Sequence, residues 1–153
     1  MRRLVFTFAV VMNLVIADAV TKELAAGLLR GEAPFPVLAG FFDLAYVENR
    51  GCAWGMFQGA VWPLAAFGIA ALAILVWRRR QVFEGAFWTE SLLYAGIVGN
   101  VIDRLCRGYV IDMFDFHWRE VWHYPCFNLA DVFICVAAGL LVIASFRGGA
   151  RRP

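Results

Sequence analysis

Charge is scarce in this chain. Asp, Glu, Lys and Arg make up 17% of its 153 residues and apolar types 62%, where an average soluble domain has about 25% and 45–50%. Phe (14) and Trp (6) are abundant. A chain of this size leaves a large share of its surface outside any core. That excludes a soluble protein, and a membrane supplies the missing burial. No repeat, low-complexity tract or long polar linker is visible, so one domain over residues 1–153 is expected. The four cysteines, at 52, 106, 126 and 135, lack C-x-x-C spacing. Cys52, Cys106 and Cys126 leave disulfides open, with no pairing fixed by spacing, while Cys135 reads as a small hydrophobe in an apolar helix. Histidine occurs only at 117 and 123. A zinc site wants three or four ligands at compact spacing, and His117-x5-His123-x2-Cys126 is a poor match, so neither metal nor cofactor is expected.

Uncharged apolar stretches run over 4–17, 52–77, 91–102 and 132–146. The second exceeds the ~20 residues that span a bilayer. The others reach that length only by drawing polar neighbours into the membrane edge. The reading is an all-α integral membrane protein with four transmembrane helices, at about 4–26, 59–77, 86–105 and 126–146. Arg2, Arg3, Arg78, Arg79, Arg80, Arg147, Arg151 and Arg152 fall at the two termini and between the second and third spans. With four spans these places share one side, which the positive-inside rule makes cytoplasmic. Segments 27–58 and 106–125 then face out. Ser91 and Ser145 lie toward the inner side, which leaves Ser–His chemistry without a nucleophile. The N-terminus also fits a cleavable secretory signal. Asp18 and Lys22, four residues apart on one helix face, favour a retained anchor instead.

An aspartate at the centre of a bilayer costs about 2.5–3.5 kcal/mol, so carboxylates at the edges of apolar spans mark function by default. Asp112 and Asp131 flank the second outer loop and are positioned to meet at one membrane surface. Paired carboxylates are the minimal machinery of an aspartic protease. Asp115 fits the same role on periodicity alone. In the first outer segment, residues 35–50 alternate loosely and end in the turn signal Asn49-Arg50-Gly51, suggesting a small β-rich region between the first two helices. Trp54, Phe57 and Trp62 serve equally as interfacial anchors, or the turn presents Asn49 to a bound peptide while Gly51 and Gly55 let its backbone come close. In the third span, Gly96 and Gly99 permit close helix contact and Asn100 seeks an interhelical hydrogen bond. Asp103 and Arg104 are expected to pair, and Asn100 and Arg104 are further candidates for orienting a substrate or the carboxylates.

Five boxes in order carry a resemblance: Asp18-Ala-Val-Thr21-Lys22, Asn49-Arg-Gly51-Cys-Ala53-Trp54-Gly55, Gly99-Asn100-Val-Ile-Asp103-Arg104, Gly108-Tyr-Val110-Ile-Asp112 and Phe127-Asn128-Leu-Ala130-Asp131. With them the chain resembles the lipoprotein signal peptidases, also called signal peptidase II. Trp54 stands where Phe is more usual, and Ala95 where a second Gly is frequent. The resemblance implies an intramembrane aspartyl endopeptidase of the bacterial inner membrane. Such an enzyme cuts prolipoprotein signal peptides before a diacylglyceryl-modified cysteine. It implies Asp112 and Asp131 as the catalytic dyad, in preference to Asp115, with Asp18, Lys22, Asn49, Gly51, Asn100, Arg104 and Asn128 as supporting residues. The expected partners are the prolipoprotein substrate and membrane lipids, with no nucleic acid, and the protein is expected to be a monomer. The rival readings are a small transporter or proton relay built on buried Asp, Arg and Lys, and a non-enzymatic scaffold. Crowding of Asp103, Asp112, Asp115 and Asp131 toward one side favours surface chemistry.

Overall fold

The computed structural model describes residues 2–119 and 121–149. Arg151 and Arg152, the Arg147 side chain and the end of the tail expected over 148–153 lie outside the described part. Four long helices, α1 (Arg2–Leu29), α2 (Val61–Trp77), α4 (Phe87–Arg107) and α5 (Leu129–Gly149), pack side by side, with α3 (Arg79–Phe83) a short helix between α2 and α4. A four-stranded antiparallel sheet, β1 (Phe35–Leu38), β2 (Phe42–Asn49), β3 (Val110–Trp118) and β4 (Trp122–His123), runs in the order β1-β2-β3-β4. It packs against α1 and α4.

Local chemistry sets the helix ends. Pro63 falls in the first turn of α2, where its missing N–H has no intrahelical partner to lose. Gly108 closes α4 in the left-handed region (φ 77°), its N–H donating to the Arg104 carbonyl, a conformation glycine adopts without a Cβ penalty. Asn128 starts α5 through a reciprocal cap. Its Oδ1 accepts the Asp131 N–H at 3.0 Å, and its own N–H donates to Asp131 Oδ2 at 3.2 Å, the logic of a capping box. The last helix therefore begins at Leu129 rather than at 126.

Two helical stretches, Arg2–Leu29 and Leu129–Phe146, are long and apolar enough to cross a membrane, and Val61–Trp77 is apolar but shorter. Their flanks expose Phe6, Phe8, Phe67, Trp77 and Phe146, an apolar surface that water does not tolerate over so wide an area. Helix α4 has its polarity reversed. Glu90, Ser91, Asn100 and Asp103 are buried while Trp88, Ile102 and Leu105 are exposed, as in a helix whose outside is lipid. Val15, Ala95 and Phe133 form a core where α1, α4 and α5 meet, and Ala25, Ile111 and Met113 another where α1 ends on the sheet. A Cβ on Gly96 would come within 2.4 Å of the Ala130 carbonyl, and one on Gly99 within 2.5 Å of Asp18 Oδ2. The two glycines thus allow the close approach of helices expected of them.

The β region is larger than the sequence suggests. Half of the strands, β3 and β4, lie between α4 and α5 rather than between the first two helices. Residues Val110 to Met113 are all buried, so this strand is covered on both faces and loses the alternation that betrays a half-buried one.

Candidate functional site

The site is assembled where the start of α5, the middle of β3 and the polar flank of α4 converge. Asn128 is completely buried and its amide is the hub. Nδ2 donates to Asp112 Oδ1 at 2.7 Å and to Asn100 Oδ1 at 3.2 Å. Through the α5 cap the same residue holds Asp131, whose Oδ1 also accepts from Asn100 Nδ2 at 2.7 Å. Both carboxylates therefore hang from one asparagine. Asn49 Nδ2 donates to Asp112 Oδ2 at 2.9 Å, and Asn49 Oδ1 accepts the Gly51 N–H. Asn49 thus serves Asp112 and its own turn rather than standing free for a peptide.

Beneath this layer lies the chain's single lysine. Lys22 Nζ lies 2.7 Å from Asp18 Oδ2, 2.9 Å from Asp103 Oδ2 and 3.2 Å from Asn100 Oδ1. The other Asp18 oxygen accepts the Ala130 N–H at 2.8 Å, tying the foot of α1 to the first turn of α5. A buried ion pair is tolerable only with this degree of extra hydrogen bonding. The expected Asp103–Arg104 pair does not form. Asp103 turns to Lys22 and Arg107, and Arg104 Nη2 reaches the Gly51 carbonyl at 3.0 Å. Gly96, Asn100, Asp103 and Arg107 follow a three-and-four spacing along one stripe of α4, and Arg104 stands one residue off it. That spacing was the available signal for Asp103 as Lys22's partner.

Asp112 is buried and Asp131 half-buried. Burial raises the Asp112 carboxyl to about 7 and the Asp131 carboxylate adds to the rise, against the hydrogen bonds of Asn49 and Asn128. A cleft of about 180 Å³, lined by Asn49, Cys52, Trp54, Gln58 and Cys126 among others, opens onto Asp112. Burial pushes the Cys126 thiol up to about 12, and the Asp112 and Asp115 carboxylates push the same way. It stays protonated and is no nucleophile. Gly51 shapes the rim: a Cβ there would meet the Met56 carbonyl at 2.5 Å.

Asp112, Asp131, Asp18, Lys22, Asn49, Gly51, Asn100, Arg104 and Asn128 are thus brought into one connected network. Asp115 is not. It lies opposite Asp43 on β2 and 3.7 Å from His123, so the alternative left open by periodicity falls outside the network.

The sequence model of the family described as signal peptidase (SPase) II matches residues 10–147. The chain is 40% identical over 135 residues to the lipoprotein signal peptidase of Clostridium acetobutylicum, covering 86% of each chain. It is 38% identical to that of Syntrophotalea carbinolica, over 92% of this chain and 91% of the relative. A solved bacterial membrane enzyme, determined by the in meso method at 2.3 Å resolution, superposes with a TM-score of 0.83 at 28% identity, covering 97% of this chain and 92% of that one. A match that runs from the first helix into the last, with relatives alike over nearly their whole length, has one meaning: the chain belongs to the signal peptidase II family.

Proposed function

We propose that the protein removes signal peptides from bacterial prolipoproteins as an intramembrane aspartic endopeptidase, with Asp112 and Asp131 as its dyad. The observation that carries this is the shared hold of Asn128 on both carboxylates, of which Asp112 lines an open cleft. Two carboxylates so close do not both ionise readily, and one proton is shared between them. Asp112, buried and raised, is the member that keeps it. Asp131 sits in the first turn of α5, its carboxylate accepting from the Asn100 amide and the Asn128 N–H. In this reading Asp131 takes a proton from water as the water attacks the scissile carbonyl. Asp112 hydrogen-bonds the carbonyl oxygen as charge develops there. The proton held on Asp131 then goes to the departing amine as the tetrahedral intermediate collapses. General acid–base help of this kind is worth about 10²–10⁴ in rate, and fixed geometry supplies more.

The substrate in this proposal carries a diacylglyceryl cysteine and is cut just before it. The protein acts as a monomer in the inner membrane, among lipids that bring the substrate in sideways. Helices α1, α2, α4 and α5 are its four spans and residues 1–153 its one membrane domain, with both termini cytoplasmic and the sheet outside. A transporter or proton relay would want titratable groups linked through the membrane depth. Glu90, at the other end of α4, is instead held by Arg3 and Arg79 in a separate cluster.

The test is cleavage of a diacylated prolipoprotein in detergent. Asp112→Asn and Asp131→Asn are each expected to abolish turnover while the protein stays folded, and Asp115→Asn to be far milder. Substantial turnover by either dyad variant would falsify the assignment. Loss in Asp115→Asn as deep as in Asp112→Asn would move the chemistry to the other face of β3.

A further inference from the structure

The face of the sheet turned away from the Asp112 cleft carries a cluster that the proposed reaction does not use. Asp115 and His117 are two apart on β3, so they share a face. Asp43 lies directly across from Asp115 on β2, and His123 directly across from His117 on β4. Cross-strand partners project to the same side, so three strands deliver two carboxylates and two imidazoles to one spot. A register shift between Leu44 and Val47 on β2 changes the phase of that strand. Asp43 therefore points here while Asn49 points to Asp112.

We propose that Asp115, His117 and His123, with Asp43 beside His117, form a binding site for a divalent transition-metal ion of the Zn²⁺ type. The ligand atoms of Asp115, His117 and His123 lie within 4.8 Å of one another. His123 Nδ1 is 3.7 Å from Asp115 Oδ1, and His117 Nε2 is 3.7 Å from Asp43 Oδ1. These gaps are too long for hydrogen bonds. They sit a few tenths of an ångström beyond the roughly 3.3–3.5 Å that separates two ligands on a tetrahedral zinc ion with bonds of about 2.0–2.2 Å.

The independent sign is what these atoms lack. Asp43 Oδ1 and His117 Nε2 are both buried, and neither has a hydrogen-bond partner among the described residues. His117 as a whole is 8% exposed. Buried polar atoms are nearly always satisfied, and two orphans facing each other across a ligand-sized gap are accounted for by a cation between or beside them. Imidazole with carboxylate suits Zn²⁺ and its neighbours in the first transition row. Asp43 acts either as a fourth ligand or as the outer carboxylate that orients a metal-bound imidazole, and in both positions its loss weakens binding. His123, half in solvent, gives the ion its way in. Bound there, the ion ties β2, β3 and β4 together at the far end of the strand that bears Asp112. Sequence spacing hid the site because it pointed to Cys126, whereas Asp43 arrives only through strand pairing.

The test is a titration of the full chain in detergent, with any affinity tag removed and the protein stripped by chelator. One equivalent of Co²⁺ is expected to develop visible ligand-field bands that Zn²⁺ abolishes. His117→Gln and His123→Gln should each weaken Zn²⁺ binding at least tenfold, Asp43→Asn should weaken it measurably, and Asp112→Asn should bind as the wild type does. Zn²⁺ should raise the melting temperature of the wild type and not of His123→Gln. His123 is exposed, so its replacement leaves the fold intact even where that of His117 does not. Absence of stoichiometric binding at micromolar Zn²⁺ overturns the proposal. So does binding that survives His123→Gln, or that is lost in Cys126→Ser or Asp112→Asn instead.

Discussion

Asp112 and Asp131 are chemically alike but differently housed. Asp112 is enclosed on β3, with an amide on each oxygen. Asp131 is half open, at the positive end of a helix dipole. Burial and the neighbouring carboxylate hold Asp112 protonated up to about pH 7. On the proposed mechanism, kcat is expected to fall as pH rises through about 7, where the shared proton is lost. Stability follows the same group. Its carboxyl is raised in the folded state, so between the unfolded value near 3.8 and about 7 the native protein binds more protons than the unfolded chain. Stability from this group is therefore complete below 3.8 and is lost as pH rises toward 7. Asp112→Asn should flatten that slope, and thermal unfolding in detergent at pH 4, 5.5 and 7 measures it. An unchanged slope in the variant would assign the dependence to another group.

At the level of elements, the buried Lys22 joins α1 to α4, while Asp18 joins α1 to α5. Lys22→Met would leave Asp18 and Asp103 facing each other without their cation. Breaking a buried pair this way costs about 3–5 kcal/mol, so the melting temperature should drop sharply. Asp18→Asn combined with Lys22→Met should recover part of the loss, and no recovery would mean that Asp103 alone sets the cost. Much of this was legible in sequence. Apolar runs marked the long helices, and the four-residue step from Asp18 to Lys22 marked their pairing. Strand β3 was not legible, because burial on both faces erased its alternation. Nor could periodicity choose between Asp112 and Asp115: three apart on one strand they take opposite faces, and only the pairing with β2 and the cap at Asn128 show which face meets Asp131. Arg104 was legible as polar, but its partner was not. The Gly51 carbonyl it reaches is 53 positions away, a contact that only the tertiary fold creates.

For the whole molecule, a buried polar network at the sheet end and an apolar exterior on the helices describe a protein turned partly inside out. The proposed topology puts Arg80 and Arg119 on opposite sides of the membrane. Reporter fusions at residues 80 and 119 should accordingly give opposite compartment signals, and matching signals would remove the four-span arrangement. The start of α5 has a consequence of another kind. The helix is capped by the same two residues, Asn128 and Asp131, that hold the carboxylates in place, the Asn128 amide giving its Oδ1 to the cap and its Nδ2 to Asp112. Helix ends ordinarily fray on their own, with opening free energies near zero; here fraying cannot occur without dismantling the site. The amide protons of Ala130 and Asp131, bound to Asp18 and Asn128, should therefore exchange with deuterium far more slowly than those of a typical first turn. Their exchange rate becomes a direct readout of how much of the population carries an assembled site at any moment.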